Sequence, residues 1–269
     1  MVDFDLSSIK LNAYDKKRNL TLPKESSREL AEFLGVLTGD GFMNRYSGGK
    51  TEIAVAGDSR LDFKYHQNFV IPLAKKLFNL SPVFDYIKNK NAIHTNIHSK
   101  GLFEYLLLVG FKRGKKGRSI GIPEWILNNN NYMLNFVRGF SDTDGSLLLI
   151  DKHLKKYNFY PRITICSISK PLIFLIRRWL IANKFKTSVI YDAKEYDKRT
   201  NTYSIKSYLY LNGRKNLEKW INLVSFRNFR HLRKYEFYLK YNDKKEVGSI
   251  KWNDMGLAGV APAVSRELI

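Results

Sequence analysis

FLGVLTGDG, Phe33 to Gly41, decides how this chain is read. An apolar helical run ends on Gly39, Asp40 and Gly41, with no basic residue inside it to balance the acid. A carboxylate at a helix C-terminus faces the negative end of the macrodipole and is unfavourable there on its own. The pattern returns as VRGFSDTDG, Val137 to Gly145. In register, Gly35 matches Gly139, Asp40 matches Asp144 and Gly41 matches Gly145, a spacing of 104 residues (144 − 40). A single Asp-Gly is a common turn signal. Two in register make a repeat, which bears on the whole fold.

The segments after each copy repeat as well. Strand-like runs are expected at Gly41–Ser47 and Thr51–Ala56 in one half, and at Ser146–Lys152 and Tyr160–Ser167 in the other. A helix comes after each pair, Asp58–Phe78 and Ser169–Asn183. Second strand pairs come next: Pro82–Lys88 with Ala92–His98, and Thr187–Tyr196 with Tyr203–Leu211. Each half closes on a helix, Gly101–Val109 or Arg214–Val224, and then a basic turn, FKRGKKGR from Phe111 or FRNFRHLR from Phe226. The expected fold class is α/β (α+β), with two pseudo-symmetric αββαββα repeats, each holding a four-stranded antiparallel sheet. The divisions are an N-terminal arm (1–25), a first repeat (26–130), a second repeat (131–242) and a C-terminal tail (243–269).

Small residues stand four apart on one face of each motif helix: Gly35 with Gly39, and Gly139 with Thr143. That spacing lets two helix backbones approach closely, so Gly35 and Gly139 are expected at the interface of the paired motif helices. Their C-terminal ends would then lie together, bringing Asp40 and Asp144 beside helix-end carbonyls. Two carboxylates and carbonyl oxygens make a hard-cation site, suited to magnesium. In the strands, apolar residues alternate with polar ones. Outward faces are expected to carry His94, Asn96 and His98; Arg162 and Thr164; and Ser204, Lys206, Tyr208 and Tyr210. With Arg45 and Lys116, these form the candidate DNA-binding set, a surface able to read a major groove.

Composition points the same way. Of 269 residues, 44% are hydrophobic and 14% aromatic, which excludes a disordered tail. Lys and Arg total 46 against 25 acids, a net charge of +21 that calls for a polyanionic partner. No membrane partner is expected: the longest apolar stretch, Leu172 to Ala182, is split by Arg177 and Arg178 and is too short to span a bilayer. The N-terminus lacks a signal-peptide layout, and a single cysteine, Cys166, rules out an intramolecular disulfide.

At these residues the chain resembles the LAGLIDADG homing endonucleases in their monomeric, two-motif form. FLGVLTGDG and VRGFSDTDG match the motif at its third, eighth and ninth positions, and GFKRGKKGRSIGIPEWI, Gly110 to Ile126, resembles a segment of archaeal-type members. The resemblance runs over roughly residues 26–242. It implies two saddle-shaped sheets joined at the motif helices. It also implies site-specific, staggered cleavage of a long asymmetric double-stranded DNA site by divalent-metal-dependent hydrolysis. Asp40 and Asp144 fit the metal-binding acids, with main-chain carbonyls from Gly39 and Thr143. Mg2+ is the expected cofactor, Mn2+ or Ca2+ being able to substitute in binding. Lys115 and Arg230 best match the basic residues near the scissile phosphates, with Lys116 and His231 next. Thr38 stands where the family often has a further acid. Gly57-Asp58 and Ser167-Ile168 stand where many members carry Gln or Lys. Asp58 would then cap the following helix, or its presence would leave the centre to rely on Lys115 or Lys116. The alternative function is an intron RNA maturase or DNA-binding regulator that keeps the scaffold without cleavage, with intron RNA as partner. The expected location is the cytoplasm or nucleoid of an archaeon or bacterium, or an organelle.

Overall fold

The computed structural model describes residues 1–112, 117–151, 159–197 and 201–242. At its centre two helices cross in close contact, α2 (Arg28–Gly39) and α7 (Asn130–Asp144), numbered after a short α1 (Ala13–Lys17) and α3–α6 below. Ser27 Oγ accepts the Leu30 N–H to start α2, and Asn129 Oδ1 accepts those of Asn131 and Tyr132 to start α7. Every α2 residue from Leu30 to Gly39 is buried, the polar Glu32 and Thr38 among them. The contact is backbone on backbone. A Cβ at Gly35 would lie 2.2 Å from the Phe136 carbonyl oxygen, and one at Gly139 would lie 2.2 Å from that of Glu32. The reciprocity of these contacts is the pseudo-twofold axis seen at residue level.

Each half builds its sheet in the same order. The first contains β1 (Gly41–Arg45), β2 (Thr51–Asp58), β3 (Val83–Ile87) and β4 (Ala92–Ile97), arranged β1-β2-β4-β3. The second contains β5 (Gly145–Asp151), β6 (Phe159–Ser167), β7 (Thr187–Asp197) and β8 (Thr202–Asn212), arranged β5-β6-β8-β7. All pairings are antiparallel. Over the first sheet, α3 (Phe63–Tyr65), a π-helical turn (His66–Val70) and α4 (Ile71–Phe78) run on without a break, and α5 (Lys100–Leu108) follows β4. After the short α6 (Glu124–Leu127), the second half adds α8 (Lys170–Ala182), α9 (Arg214–Leu223) and α10 (Phe229–Tyr241). The core lies between sheets and helices, with Leu34, Met43, Ile53, Phe103, Phe136, Ile165 and Trp220 all within 1% of full burial. Burying one such side chain contributes about 1.5–3 kcal/mol. No helix among the described residues is long and apolar enough to cross a membrane.

Two expectations are corrected by the structure. The basic run FRNFRHLR is not a turn: Asn228 caps α10 through its side chain, and the helix runs thirteen residues from Phe229. The helix expected from Asp58 starts at Phe63 instead, because Asp58 accepts the Arg60 and Leu61 N–H groups and holds residues 58–61 in a turn. The stretch 1–25, expected as an N-terminal arm, packs onto the first half. Phe4 packs edge-on against Trp125 and Tyr105, Leu20 is buried, and buried Asp15 accepts the Gly101 N–H at 2.9 Å. The stretch 243–269 lies outside the described residues.

Candidate active site at the junction of the two halves

The motif helices end side by side. Asp40 is the C-cap of α2 and Asp144 the last residue of α7. A Cβ at Gly39 would lie 1.8 Å from Thr143 Oγ1 and 3.5 Å from the Asp144 amide nitrogen. The two carboxylate-bearing residues thus stand on backbones in contact, both half-buried. The final glycine of each motif has a steric reason: the strand leaves the helix so sharply that a Cβ at Gly41 would lie 2.5 Å from Leu37 Cα, and one at Gly145 would lie 2.3 Å from the Ser141 carbonyl oxygen.

Cys166, on β6, registers the field of both acids. Burial pushes its thiol up to about 11, and Asp144 and then Asp40 push in the same direction. Its sulfur lies 3.8 Å from the Asp144 carbonyl oxygen. Among the described residues, no group of three or more His, Cys, Asp or Glu side chains is gathered as a transition-metal cluster would be. Paired carboxylates with helix-end carbonyls, all oxygen donors, suit a hard divalent cation.

Arg230 occupies the flank of this site, held more tightly than expected. Nη2 donates to the Asp142 and Thr143 carbonyls at 3.1 and 2.5 Å, and Nη1 pairs with Asp62 at 3.3 Å. Nε lies 3.3 Å from His231 Nε2. Of the five N–H donors of a guanidinium, these contacts leave one. Arg230 therefore ties the end of α7 to Asp62 of the other half, and the Thr143 carbonyl already accepts a guanidinium. Lys115 and Lys116 lie outside the described residues.

Beneath the site runs a buried polar network that sequence reasoning did not anticipate. Asp142 accepts the Arg227 and Asn228 amides at 3.0–3.1 Å, and Asn228 Nδ2 reaches Asp62 at 2.8 Å. Burial pushes the Asp142 carboxyl up to about 7 against the pull of those amides. Glu32 of α2 meets Arg138 and Arg227 of the second half, both at 3.4 Å, and burial raises its carboxyl despite them. His231 and Lys234 of α10 are buried too; desolvation pushes the imidazole well down and the ammonium to about 8. On the first half, burial takes His66 to about 4 while its Nδ1 meets Thr95 Oγ1 at 2.7 Å. Of these residues the sequence singles out His231, as a basic residue near a scissile phosphate, and its burial takes it out of reach of one.

The sheets flank this centre, and their open faces differ. On the second, Ser204, Lys206, Tyr208 and Tyr210 share one face of β8 and lie beside Arg162 and Thr164 of β6. Tyr208 and Tyr210 are near-parallel with centroids 6.1 Å apart, and the Arg162 guanidinium sits 5.3 Å from the Tyr210 ring. Lys206 is 3.8 Å from Glu195. On the first sheet, His94 pairs edge-on with Phe42, whereas Asn96 is buried and donates to Asp85 at 2.7 Å. His98 lies just past β4, with Nδ1 3.3 Å from the Thr51 carbonyl. Arg45 is on the wrong face for the expected set. It shares parity with buried Met43, pairs with Glu104 of α5 and covers the Phe103 ring at 4.8 Å, so Phe42 and Asn44 face outward from β1 instead.

I-DmoI in complex with its target DNA, nicked in the coding strand and in the presence of manganese, superposes with a TM-score of 0.50 at 17% identity, covering 75% of this chain and 97% of that one. The chain has the two-domain LAGLIDADG homing endonuclease fold. I-SmaMI bound to uncleaved DNA target in the presence of calcium has a TM-score of 0.47 at 13% identity, covering 80% of this chain and 90% of that one. No family model matches. A replication factor C small subunit of Methanocaldococcus jannaschii is 23% identical over 208 residues, 77% of this chain but 10% of that protein. An A-type ATP synthase subunit of Pyrococcus abyssi is 28% identical over 141 residues, 51% of this chain and 13% of that protein. The chain thus spans about a tenth of the length of the curated relatives it matches, and their names carry nothing over to it. In this chain the two motif helices are the seam, and Asp40 and Asp144 sit at its end.

Proposed function

We propose that this chain is a site-specific homing endonuclease, cutting both strands of a long asymmetric DNA site with a stagger and acting as a monomer. One observation carries the reading: two half-buried aspartates from repeated motifs meet where two helix ends touch, between two open sheet faces, in a chain of net charge +21. One chain supplies both acids, so no second copy is needed to complete the centre. Asp40 and Asp144 would hold the divalent cation, magnesium first, with the Gly39 carbonyl beside them. When bound, the cation polarises a phosphate and lowers the pKa of an attacking water.

The chain's own residues do the rest. The seam at Gly35 and Gly139 sets the separation of the acids, because the helices cannot slide where backbone meets backbone. Arg230 clamps the Thr143 carbonyl and so fixes the residue before Asp144. The open face of β6 and β8, with Arg162, Lys206, Tyr208 and Tyr210, offers donors and ring faces to one half-site. The first sheet offers His94 and Asn44 to the other.

The test is incubation of the purified protein with a randomised duplex library, with magnesium or with EDTA, followed by end sequencing. Discrete staggered cuts that need magnesium and vanish in Asp40→Asn and Asp144→Asn are expected. Cutting that survives both substitutions would overturn the catalytic assignment. Duplex binding without any cutting, together with tight binding of intron RNA, would favour the maturase.

A further inference from the structure

Outside both sheet faces, a cleft of about 260 Å³ opens where the β2–α3 turn of the first half meets α10 of the second. Four cations line it, Arg60, Lys64, Arg230 and Arg233, together with the rings of Phe63, Tyr86 and Phe229. Asp58 pairs with Arg60 at 2.9 Å and Asp62 with Arg230 at 3.3 Å. Lys64 and Arg233 have no ion-pair partner among the described residues and are exposed. Four cations against these two acids leave a charge of +2 on the wall.

The apolar part of the lining is equally unusual. Phe63 is 37% and Tyr86 64% exposed, although burial would stabilise both rings. Their planes lie within 20° of each other with centroids 6.4 Å apart, and Phe84 braces both edge-on. The Lys64 ammonium lies 5.9 Å from the Phe229 ring centroid. Exposed, braced, near-parallel rings beside unpaired cations form a stacking platform next to a phosphate site, the combination that holds unpaired nucleotides. A terminal phosphate brings a charge of about −1.5 to −2, matching the wall.

We propose that this cleft binds a nucleoside phosphate, with the phosphate between Lys64 and Arg233 and the base stacked on Phe63 and Tyr86. The source is either a free mononucleotide or an unpaired nucleotide at a phosphorylated strand end. The inference goes beyond the cleavage reading and stands apart from it, because it requires binding alone.

Thymidine 5′-monophosphate, inorganic phosphate and a 5′-phosphorylated oligothymidylate would each be titrated by calorimetry into the full chain, and into Lys64→Ala/Arg233→Ala and Phe63→Ala variants. These side chains are exposed, so the variants should fold; circular dichroism verifies this. Removal of the two cations should weaken every probe that binds. Phe63→Ala should weaken the nucleotide about fivefold or more, in line with one base stack, and leave inorganic phosphate unmoved. Mononucleotide and oligonucleotide binding alike identify a site for free nucleotide. Binding of the oligonucleotide alone, lost with the cations, identifies a strand end. The proposal fails if no probe binds, if binding is indifferent to Lys64 and Arg233, or if Phe63→Ala affects phosphate and nucleotide equally.

Discussion

Placing alanine at Gly35 or Gly139 tests whether backbone contact sets the geometry of the site. In each case the new Cβ would lie 2.2 Å from a carbonyl oxygen of the partner helix, and such contacts essentially never fall under 3.0 Å. The helices must part by at least 0.8 Å (3.0 − 2.2), and a gap of that order forfeits about a quarter to a half of the dispersion attraction across it. The obstacle is rigid backbone, so the cost should reach the upper end of overpacking, about 3 kcal/mol. Alanine returns about 1 kcal/mol through helix propensity, leaving a net loss of about 2 kcal/mol. At this chain length that lowers Tm by about 4–8 °C. One separation relieves both clashes while each alanine returns its propensity, so the double variant should lose about 1 kcal/mol, well below the sum of the singles. Gly121→Ala is the control, since no heavy atom lies within 4 Å of its Cβ and its φ is ordinary; it should stay within about 0.5 kcal/mol of wild type. Urea and thermal unfolding decide. Without the clash, propensity alone would make both single variants more stable, so stabilisation, or full additivity in the double, would refute the reasoning.

Asp142, raised by burial to about 7 from an ordinary 3.8, binds its proton more tightly folded than unfolded. Its contribution is fully present below about pH 3.8 and is lost as pH rises through 7, so Asp142→Asn should flatten the stability profile over pH 4–7 in urea titrations; an unchanged slope contradicts the burial argument. Asp62→Ala strips Arg230 of its carboxylate, and because the guanidinium is only 20% exposed the unfolding free energy should fall by about 3 kcal/mol; a loss under 1 kcal/mol would mean the clamp contributes little. Affinity for duplex DNA should fall about 10³-fold or more between 50 and 200 mM salt, as release of counterions from six or more phosphates requires. Fluorescence anisotropy measures it, and a flat response would count against phosphate neutralisation by this face.

Much of the architecture was legible because it repeats. Both four-stranded sheets, the strand pairs and the position of the motif aspartates follow from periodicity and from a doubled Asp-Gly. Asp58, expected to cap the following helix, holds a turn instead, because it satisfies the Arg60 and Leu61 amides locally and the helix starts only at Phe63. Arg45 was misplaced because strand alternation is decided by which neighbour is buried, and Met43, two residues earlier, fixes that parity. The helix from Phe229 was hidden by its basic residues, although Asn228 marks its start.

The sequence by itself determined the elements, their doubling and the two acids, because those depend on local spacing and on small residues at fixed steps. Only the tertiary structure decided what stands around the acids. Arg227 meets Glu32 across 195 positions of chain, Asn228 meets Asp62 across 166, and Arg230 turns from a loose cation into a clamp on the end of α7. Such partners are chosen by burial, where an unpaired charge is costly and the nearest available counterpart is taken wherever it lies in the chain. No local pattern encodes that choice.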